Sequence, residues 1–327
     1  MLDVALQQIA ELEADNERLR THAASPADPG RTPHSVSDLA RQAAKSSSEG
    51  LPYADGKSSP QERIALFRAL FIGRADVYAK RWVNRRNGKV GWSPAEENPW
   101  EKNKSESERV FFPLTDQVIT KHLRRPASER EELHAGLYPL LPDDTTHLLV
   151  CDFDGKSGGT GWKGDAQAYL RGCAEAGVPA LLEISRSGEG AHVWIFFTAP
   201  VAAGLARALG MALVRRAIDA RDGMSLSSYD RLIPSQDFVP THSKKGARFG
   251  NLIALPLNGA AHAAGTTLFC DPATWTPYAD QFAHLSQTRR LTPFRLKEIV
   301  DELGPLKAGP NPTSPKLPAR PSAMRRG

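Results

Sequence analysis

The sequence predicts an α+β protein whose central part is a βαββαβ unit, and two observations support this fold class. Short apolar segments with strand character alternate with segments that have the apolar spacing of helices, all between residues 146 and 257. In the split βαβ arrangement of this order, the first and third strands are central neighbours in a sheet with antiparallel pairs. The predicted strands are 146–154, 180–185, 191–197 and 251–257, and the predicted helices run from about 165 to 176 and from about 202 to 221.

The first 24 residues predict a short coiled-coil helix. Their apolar positions recur at alternating spacings of three and four, and Asn16 falls at an a position, where a buried Asn often fixes a parallel pair of helices. This pattern predicts a homodimer, and a lone amphipathic helix packed on its own domain is the alternative. The seam consists of Leu2, Ala5, Ile9, Leu12, Asn16 and Leu19.

Composition divides the rest of the chain into three parts. Residues 25–58 are dense in Ser, Pro, Gly and Asp and are predicted to form a flexible linker. A folded domain is expected over 59–300, because Ser59, Pro60 and Glu62 form a helix-start signal with a capping box. The basic, proline-rich residues 301–327 are predicted to be a disordered tail.

The overall composition excludes several classes of protein. The chain has 327 residues, about two domains' worth, with 40% hydrophobic residues, so it is long enough to bury a core. Its net charge of +5 permits a polyanionic partner without demonstrating one. Three cysteines without a CxxC pair favour a reducing compartment and argue against structural zinc. No run of about 18 apolar residues occurs, so a cytoplasmic protein without membrane insertion is expected.

Two aspartates at the end of the first predicted strand are the first candidate for chemistry. Because side chains alternate along a strand, Asp152 and Asp154 share a face, whereas Cys151 and Phe153 point into the core. Two close carboxylates raise each other's pKa unless a cation neutralises them, so the pair suggests Mg²⁺ or Mn²⁺. Solvated carboxylates that cap the following glycine-rich loop are the alternative.

The third strand adds a histidine to this pair. His192 is expected on the same face as Trp194 and Phe196, beside the two aspartates. The preceding Ser185–Gly190 turn supplies hydroxyls, a guanidinium and small residues, which suit phosphate oxygens. A satisfied core histidine is the alternative, but its position between this turn and the aspartate strand favours a site.

A further acidic and basic segment follows the second helix. It contains Asp230 and Asp237, followed by Lys244, Lys245 and Arg248, and the three bases are candidates for a triphosphate clamp. A solvated loop is the alternative interpretation.

The ordered motifs DFD, SRSGEGAHVWIFF, YDRLIPSQD and FGNLIALPL resemble the catalytic core of the archaeo-eukaryotic primase superfamily. The similarity is strongest to the primase-polymerase domain associated with TOTE conflict systems and certain CRISPR loci, and it covers about residues 60 to 290. The resemblance implies a two-lobed archaeo-eukaryotic primase fold with an RRM-like catalytic sheet.

The resemblance also implies roles for residues. Asp152 and Asp154 would bind the catalytic metals, and the histidine of the small-x-His motif Gly190-Ala191-His192 would contact the phosphates of the incoming nucleotide. The third acid is assigned to Asp237, with Asp230, which follows a hydrophobic residue, as the alternative. Further nucleotide-binding candidates are Ser185, Arg186, Ser187, Lys245 and Arg248.

One departure from the family concerns zinc. Relatives usually carry a cysteine-rich insert after the GxSP segment, but SPAEENPWEKNKSESERVFFPL contains no cysteine, so no zinc is expected. We therefore expect better extension of primers than initiation. Larger family members carry helicase and nuclease regions, which this sequence lacks, so helicase or nuclease partners in a split system are one expectation and a stand-alone protein is the other.

The leading functional prediction is a DNA primase/polymerase-type nucleotidyltransferase that uses a DNA template, a primer and nucleoside triphosphates by a two-metal mechanism. A mobile-element or defence context is implied by the family alone. The first alternative is a catalytically weak RRM-like nucleic-acid-binding module that stacks bases on aromatic side chains such as Trp194. Metal-dependent phosphodiester hydrolysis is the second alternative.

Overall fold

The computed structural model describes residues 50–99, 101, 108–129, 131–155, 161–220, 226–240 and 248–304. The predicted coiled coil, most of the linker and nearly all of the tail lie outside these residues. The helices are α1 (Pro60–Leu70), α2 (Asp116–Leu123), α3 (Trp162–Glu175), α4 (Ala203–Asp219), α5 (Gly259–His262), α6 (Gln281–Leu285) and α7 (Pro293–Leu303). The strands are β1 (Ala79–Val83), β2 (Val90–Pro94), β3 (Ala135–Leu137), β4 (Thr145–Asp154), β5 (Leu181–Ile184), β6 (Gly190–Ala202), β7 (Tyr229–Ile233) and β8 (Ile253–Ala254).

The eight strands form two antiparallel sheets. The core sheet has the order β5-β6-β4-β7, and the side sheet has the order β2-β1-β3-β8. The long strands β4 and β6 are central neighbours in the core sheet, which is the pairing that the βαββαβ order predicts. Their register places Asp152 opposite His192 and Asp154 opposite Gly190.

The predicted closing strand of the βαββαβ unit was wrong. The fourth place in the core sheet belongs to β7, and the segment 251–257 contributes only β8, which pairs with β3 in the side sheet. The apolar residues of that segment signal burial, and Leu255 is indeed fully buried. Burial alone does not say which sheet a strand joins. Strand β7 was missed because Asp230 and Arg231 occupy the middle of its five residues.

Both faces of the core sheet are covered. Leu149, Cys151 and Phe153 pack with α3, α4 and α7 on one face. Trp194 and Phe196 lie on the other face, in a second cluster with residues of α1, α2 and the side sheet. The predicted division of side chains between the two faces of β4 and β6 is therefore present, but both faces are interior.

The amino-terminal border of the domain differs from the prediction. Ser59 does form a capping box with Glu62 at the start of α1. However, residues 50–58, predicted as linker, are part of the fold, since Ala54 is fully buried and its backbone exchanges two hydrogen bonds with Ser286. The composition of this segment concealed two buried positions, Leu51 and Ala54. No helix in the described ranges is both long and apolar enough to cross a membrane.

Candidate active site

The carboxyl end of β4 brings Asp152 and Asp154 next to the start of β6. The side chain of Asp152 is 19% exposed, and the opposite residue on β6 is His192. The two backbones come very close here, since a Cβ atom on Gly190 would lie 2.5 Å from the carbonyl oxygen of Phe153. Only glycine fits at this position, so the small residue of the small-x-His motif allows the aspartate strand and the histidine strand to pair.

His192 is held between two carboxylates. Its Nδ1 lies 2.9 Å from Oε2 of Glu183 on β5, and its Nε2 lies 3.6 Å from Oδ1 of Asp152. Glu183 is 1% exposed, and the same Oε2 accepts a hydrogen bond from Nε1 of Trp194 at 2.7 Å. Glu183 was not among the residues predicted from the sequence. A signal was present, because a carboxylate in the middle of an apolar strand needs a buried partner.

The charges around His192 keep it protonated. Burial by itself lowers the pKa of this imidazole, but the carboxylates of Glu183, Asp152 and Asp154 outweigh burial and raise the pKa to about 9. Since Nδ1 donates to Glu183, the protonated Nε2 faces Asp152 and the open end of the strand pair. His192 thus presents a positive N–H donor, which suits a phosphate oxygen.

A third acid reaches this cluster from β7. The register of β4 with β7 shifts between Asp152 and Phe153, because Asp152 pairs with Arg231 and Phe153 pairs with Tyr229. Asp230 is the extra residue of this β-bulge, and bulges beside functional sites often redirect one side chain. Its negative charge acts on Asp152, and Arg231 donates from Nε to Asp230 at 2.7 Å.

Burial and nearby acids destabilise the ionised form of the Asp152 carboxylate. Burial is the largest cause that raises its pKa, and Asp230 and Asp154 raise it further, whereas His192 and Arg231 lower it. Hard oxygen donors held together in this way suit a Mg²⁺ or Mn²⁺ ion. No three His, Cys, Asp or Glu side chains of the described residues are close enough to form a complete metal site. Mg²⁺ commonly takes one or two carboxylates from a protein and completes its shell with water and substrate phosphates.

Asp237, the favoured third acid of the sequence analysis, lies elsewhere. It forms an ion pair with Arg207 on α4, and it lies beside Gly204 in the first turn of that helix. This turn follows Ala202, which pairs with Thr145 at the opposite end of β4. Seven residues of strand separate Thr145 from Asp152, or about 23 Å. The structure therefore does not bring Asp237 to the pair, and it places Asp230, the alternative, beside Asp152.

The turn between β5 and β6 borders the same cluster. The hydroxyls of Ser185 and Ser187 are 3.0 Å apart, and Gly188 has a φ of 75°, in the region that favours glycine. The backbone of the turn also reaches β4, since the nitrogen of Gly155 donates to the carbonyl of Glu189 at 2.8 Å. Ser185, Ser187 and Gly190 therefore lie next to Asp154.

Arg186 points away from the cluster into a buried polar network. Its guanidinium donates to Nδ1 of His134 at 2.9 Å and to Oδ1 of Asn258 at 3.0 Å, and it forms an ion pair with Glu132. Only 25% of the side chain is exposed. These three partners engage both terminal nitrogens of the guanidinium, so Arg186 ties the turn to residues beside the side sheet.

Of the three basic residues predicted to form a triphosphate clamp, only Arg248 lies among the described residues. Lys244 and Lys245 lie outside the described residues. Arg248 lies over the rings of Phe111 and Phe249, with 5.1 Å between the guanidinium carbon and each ring centroid. It therefore belongs to the aromatic cluster at the edge of the side sheet rather than to the group around Asp152.

The aromatic face that was predicted to stack bases is not accessible. Trp194 is fully buried, its ring contacts Phe71 and Phe196, and its only nitrogen donates to Glu183. It cannot accept a base without unpacking the core. The prediction was wrong because strand alternation gives the face of a side chain, whereas α1 and the side sheet decide whether that face is open.

The match to a family model agrees with the family resemblance. The family model described as the archaeo-eukaryotic primase domain of the TOTE conflict system matches residues 62–299. Among solved structures, the polymerase domain of ligase D from Mycobacterium tuberculosis in complex with DNA is similar over 79% of this chain and 92% of that chain, with 16% identity and a TM-score of 0.32. The structural similarity is too weak to assign residues. Comparison with curated proteins finds no match.

Proposed function

The chain belongs to the archaeo-eukaryotic primase family of TOTE conflict systems, and we propose that it is a metal-dependent nucleotidyltransferase that extends a primer on a DNA template. The observation that carries this proposal is the pairing of Asp152 with His192 and of Asp154 with Gly190 at one end of β4, with Asp230 on the neighbouring strand β7. The finer fold assignment is part of the same proposal: the core sheet is an RRM-like catalytic sheet, and the side sheet belongs to the second lobe.

The reaction joins the primer 3′-oxygen to the α-phosphorus of a nucleoside triphosphate and releases pyrophosphate. Asp152 and Asp154 would hold Mg²⁺ or Mn²⁺, with Asp230 adjoining Asp152, and the ion when bound supplies Lewis acidity and charge neutralisation for this transfer. His192 offers a charged donor from Nε2 to the phosphates, and Ser185 and Ser187 offer hydroxyls from the adjacent turn.

Two further groups tune this site. Arg231 lies 3.9 Å from Asp152 and closer to Asp230, so its guanidinium offsets the mutual repulsion of the acids while no cation is bound. When a cation and a triphosphate enter, that guanidinium is released to contact a phosphate, since 49% of the Arg231 side chain is exposed. Glu183 keeps Nδ1 of His192 occupied and so directs the other nitrogen outward.

The test is an extension assay on a labelled primer-template with Mg²⁺ or Mn²⁺ and with each class of nucleotide. We expect metal-dependent lengthening by the wild type and none by Asp152→Ala or its isosteric partner Asp152→Asn. Asp230→Asn should lower the rate at least about a hundredfold, whereas Asp237→Asn is the matched control and should stay within about threefold, because only Asp230 adjoins Asp152. A template without primer tests whether extension exceeds initiation.

Other outcomes would identify the other functions. A primer that shortens in the presence of metal points to hydrolysis. A primer that is retained in a gel but never changes length points to the binding module. Synthesis by purified Asp152→Asn at the wild-type rate contradicts the proposed mechanism.

A further inference from the structure

The hairpin of β1 and β2 carries an unusual concentration of positive charge. Its strands span Ala79–Val83 and Val90–Pro94. The sixteen residues from 79 to 94 include no Asp or Glu and five cationic residues. These cations are Lys80, Arg81, Arg85, Arg86 and Lys89.

Most of this hairpin projects beyond the side sheet. Strand β3 pairs only with Ala79 and Lys80, and the nitrogen of Arg81 donates to the carbonyl of His134 at 3.1 Å, so among the described residues Trp82–Gly91 pair only within the hairpin. Residues 82–90 are all exposed. Within the described part of the chain, Arg85, Arg86 and Lys89 form no ion pair with a carboxylate.

The tip is a hydrogen-bonded turn. The side chain of Asn84 accepts from the nitrogen of Arg86 at 2.9 Å, and the backbone of Asn84 exchanges hydrogen bonds with Lys89 and Gly88 at 2.7 and 2.8 Å. Gly88 has a φ of 69°, which suits its place in the turn. Arg85, Arg86 and Lys89 thus lie on a turn that backbone and side-chain hydrogen bonds of Asn84 close.

An exposed aromatic ring lies on the same hairpin. Trp82 is 43% exposed and pairs with Gly91, and a Cβ atom on Gly91 would lie 2.4 Å from its ring. The ring therefore lies on the bare backbone of Gly91 and leaves its other side toward solvent. Lys80 is on the same face two residues earlier.

The base of the hairpin adjoins the active-site turn. Trp92 contacts His134 edge-on, with 5.1 Å between ring centroids, and His134 accepts from Arg186 of the Ser185–Gly190 turn. Arg81 pairs with Trp92 and so shares the face of the hairpin that adjoins this turn, whereas Trp82 and Lys80 lie on the other face.

From these observations we propose that the β1–β2 hairpin is a binding arm for single-stranded nucleic acid outside the active site. Arg85, Arg86 and Lys89 contact the phosphates, and Trp82 stacks on an unpaired base. An unpaired strand is the occupant because duplex DNA buries its bases within the stack, whereas a single strand offers both phosphates and an aromatic face. This arm concerns binding alone, so it goes beyond the proposed chemistry.

The test measures the affinity of the full chain for a fluorescent single-stranded DNA oligonucleotide by anisotropy over a range of salt concentrations. Chelator is present and nucleotide is omitted, so a protein that fails in the extension assay still gives an answer here. The charge variant is Arg85→Ala/Arg86→Ala/Lys89→Ala. The matched control, Lys57→Ala/Lys121→Ala/Arg215→Ala, removes the same charge from exposed residues elsewhere.

Loss of three phosphate contacts should lower the slope of log affinity against log salt by about 2 and weaken binding by about tenfold or more at low salt. The control should keep the wild-type slope. Equal losses in both triple variants, an unchanged slope in the hairpin variant, or a preference for duplex over the single strand would overturn the proposal.

Substitutions of Trp82 test the contribution of stacking to the binding affinity. Trp82→Leu keeps an apolar cover over Gly91 but removes the aromatic face, so binding should weaken by about tenfold with the salt slope unchanged. Trp82→Phe should bind within about threefold of the wild type. Equal affinities of the Leu and Phe variants would show that Trp82 serves packing only and would overturn the stacking part of the proposal.

Discussion

The carboxylate of Glu183 on β5 lies 2.9 Å from Nδ1 of His192 on β6, and both side chains are buried. His192 was predicted from the sequence as a site residue, whereas Glu183 was not. Because Glu183 also accepts from Trp194, one carboxylate oxygen fixes the orientation of two neighbouring side chains on β6.

Substitution of Glu183 should change nucleotide binding more than folding. In Glu183→Gln the amide oxygen can still accept from His192 and Trp194, but the negative charge that raises the pKa of His192 is lost. We expect KM for the nucleotide to rise about tenfold, with a smaller change in kcat, because the positive donor to the phosphates is weakened.

Two further variants separate charge from hydrogen bonding. Glu183→Ala leaves both donors without an acceptor and should lower the free energy of unfolding by about 1–3 kcal/mol. Trp194→Phe removes only the second donor and should leave KM nearly unchanged. A wild-type KM for Glu183→Gln would contradict a role for this charge.

Acid should destabilise the domain through two buried histidines. Burial is the main cause that lowers the pKa of His122 to about 4 and that of His134 to about 2, from 6.5. Both are used as neutral side chains, since each Nε2 donates to a backbone carbonyl, of Pro256 and Leu255 respectively. Each Nδ1 accepts a hydrogen bond, from Ala135 or from Arg186, so no proton fits there.

These pKa values determine the direction in which stability changes with pH. Below pH 6.5 the unfolded chain takes up protons that the folded chain refuses, so stability is fully present above pH 6.5 and falls as the pH decreases. The loss is about 1.4 kcal/mol per pH unit for each histidine. His192 adds little slope below pH 6.5, because its raised pKa keeps it protonated in both states.

Urea unfolding between pH 6.5 and about 5 measures this slope. His134→Gln can keep the bonds to Leu255 and Arg186 but cannot titrate, so it should reduce the slope by about 1.4 kcal/mol per pH unit, whereas His122, His147 and His284, whose pKa values burial also lowers, keep their contributions. The exposed His262 supplies the control His262→Gln, which should leave the slope as in the wild type. A wild-type slope in His134→Gln would show that His134 is protonated in the folded state.

Strand periodicity was sufficient to predict that Asp152 and His192 meet in the candidate site. Asp152 and His192 lie on long central strands, where alternation and the first-third pairing determine which side chains meet. Asp230 was harder to place because it occupies a bulge, and the register shift that turns it toward Asp152 depends on how β7 pairs with β4. The closing strand and the buried state of Trp194 depend on long-range packing, which local patterns do not contain.

The role of Arg186 could not be predicted from its residue type, because its partners in the fold are distant in the sequence. A guanidinium in a glycine-rich turn favours phosphate binding by composition, but Glu132, His134 and Asn258 are distant in sequence and surround it in the fold. Arg186→Lys cannot reproduce this fork of donors. We expect it to lower the free energy of unfolding by about 1–3 kcal/mol, since a buried acceptor loses its donor.

A double-mutant cycle separates this anchoring role from direct nucleotide contact. If Arg186 anchors the turn through Glu132, then Glu132→Gln should destabilise the protein, and the double variant should lose less than the sum of the single losses. Both single variants should raise KM for the nucleotide, because Ser185 and Ser187 lose their fixed position. A rise in KM for Arg186→Lys together with strict additivity of stability would indicate direct contact with the nucleotide instead.

The close approach of β4 and β6 gives a prediction with a built-in control. Gly190→Ala would place a methyl group 2.5 Å from the carbonyl oxygen of Phe153 and 3.0 Å from Oγ of Ser185. The backbone atom cannot yield as a flexible side chain can, so the strands must separate beside Asp154. We expect a loss of about 1–3 kcal/mol in the free energy of unfolding and a severe loss of extension activity.

Gly164→Ala is the control, because Gly164 lies within α3 with open space around its Cβ position. This variant should gain up to about 1 kcal/mol in the free energy of unfolding by its higher helix propensity. Urea unfolding and primer extension on the two purified variants check both effects, and wild-type activity in Gly190→Ala would show that the pairing of Asp154 with residue 190 is not needed for the site.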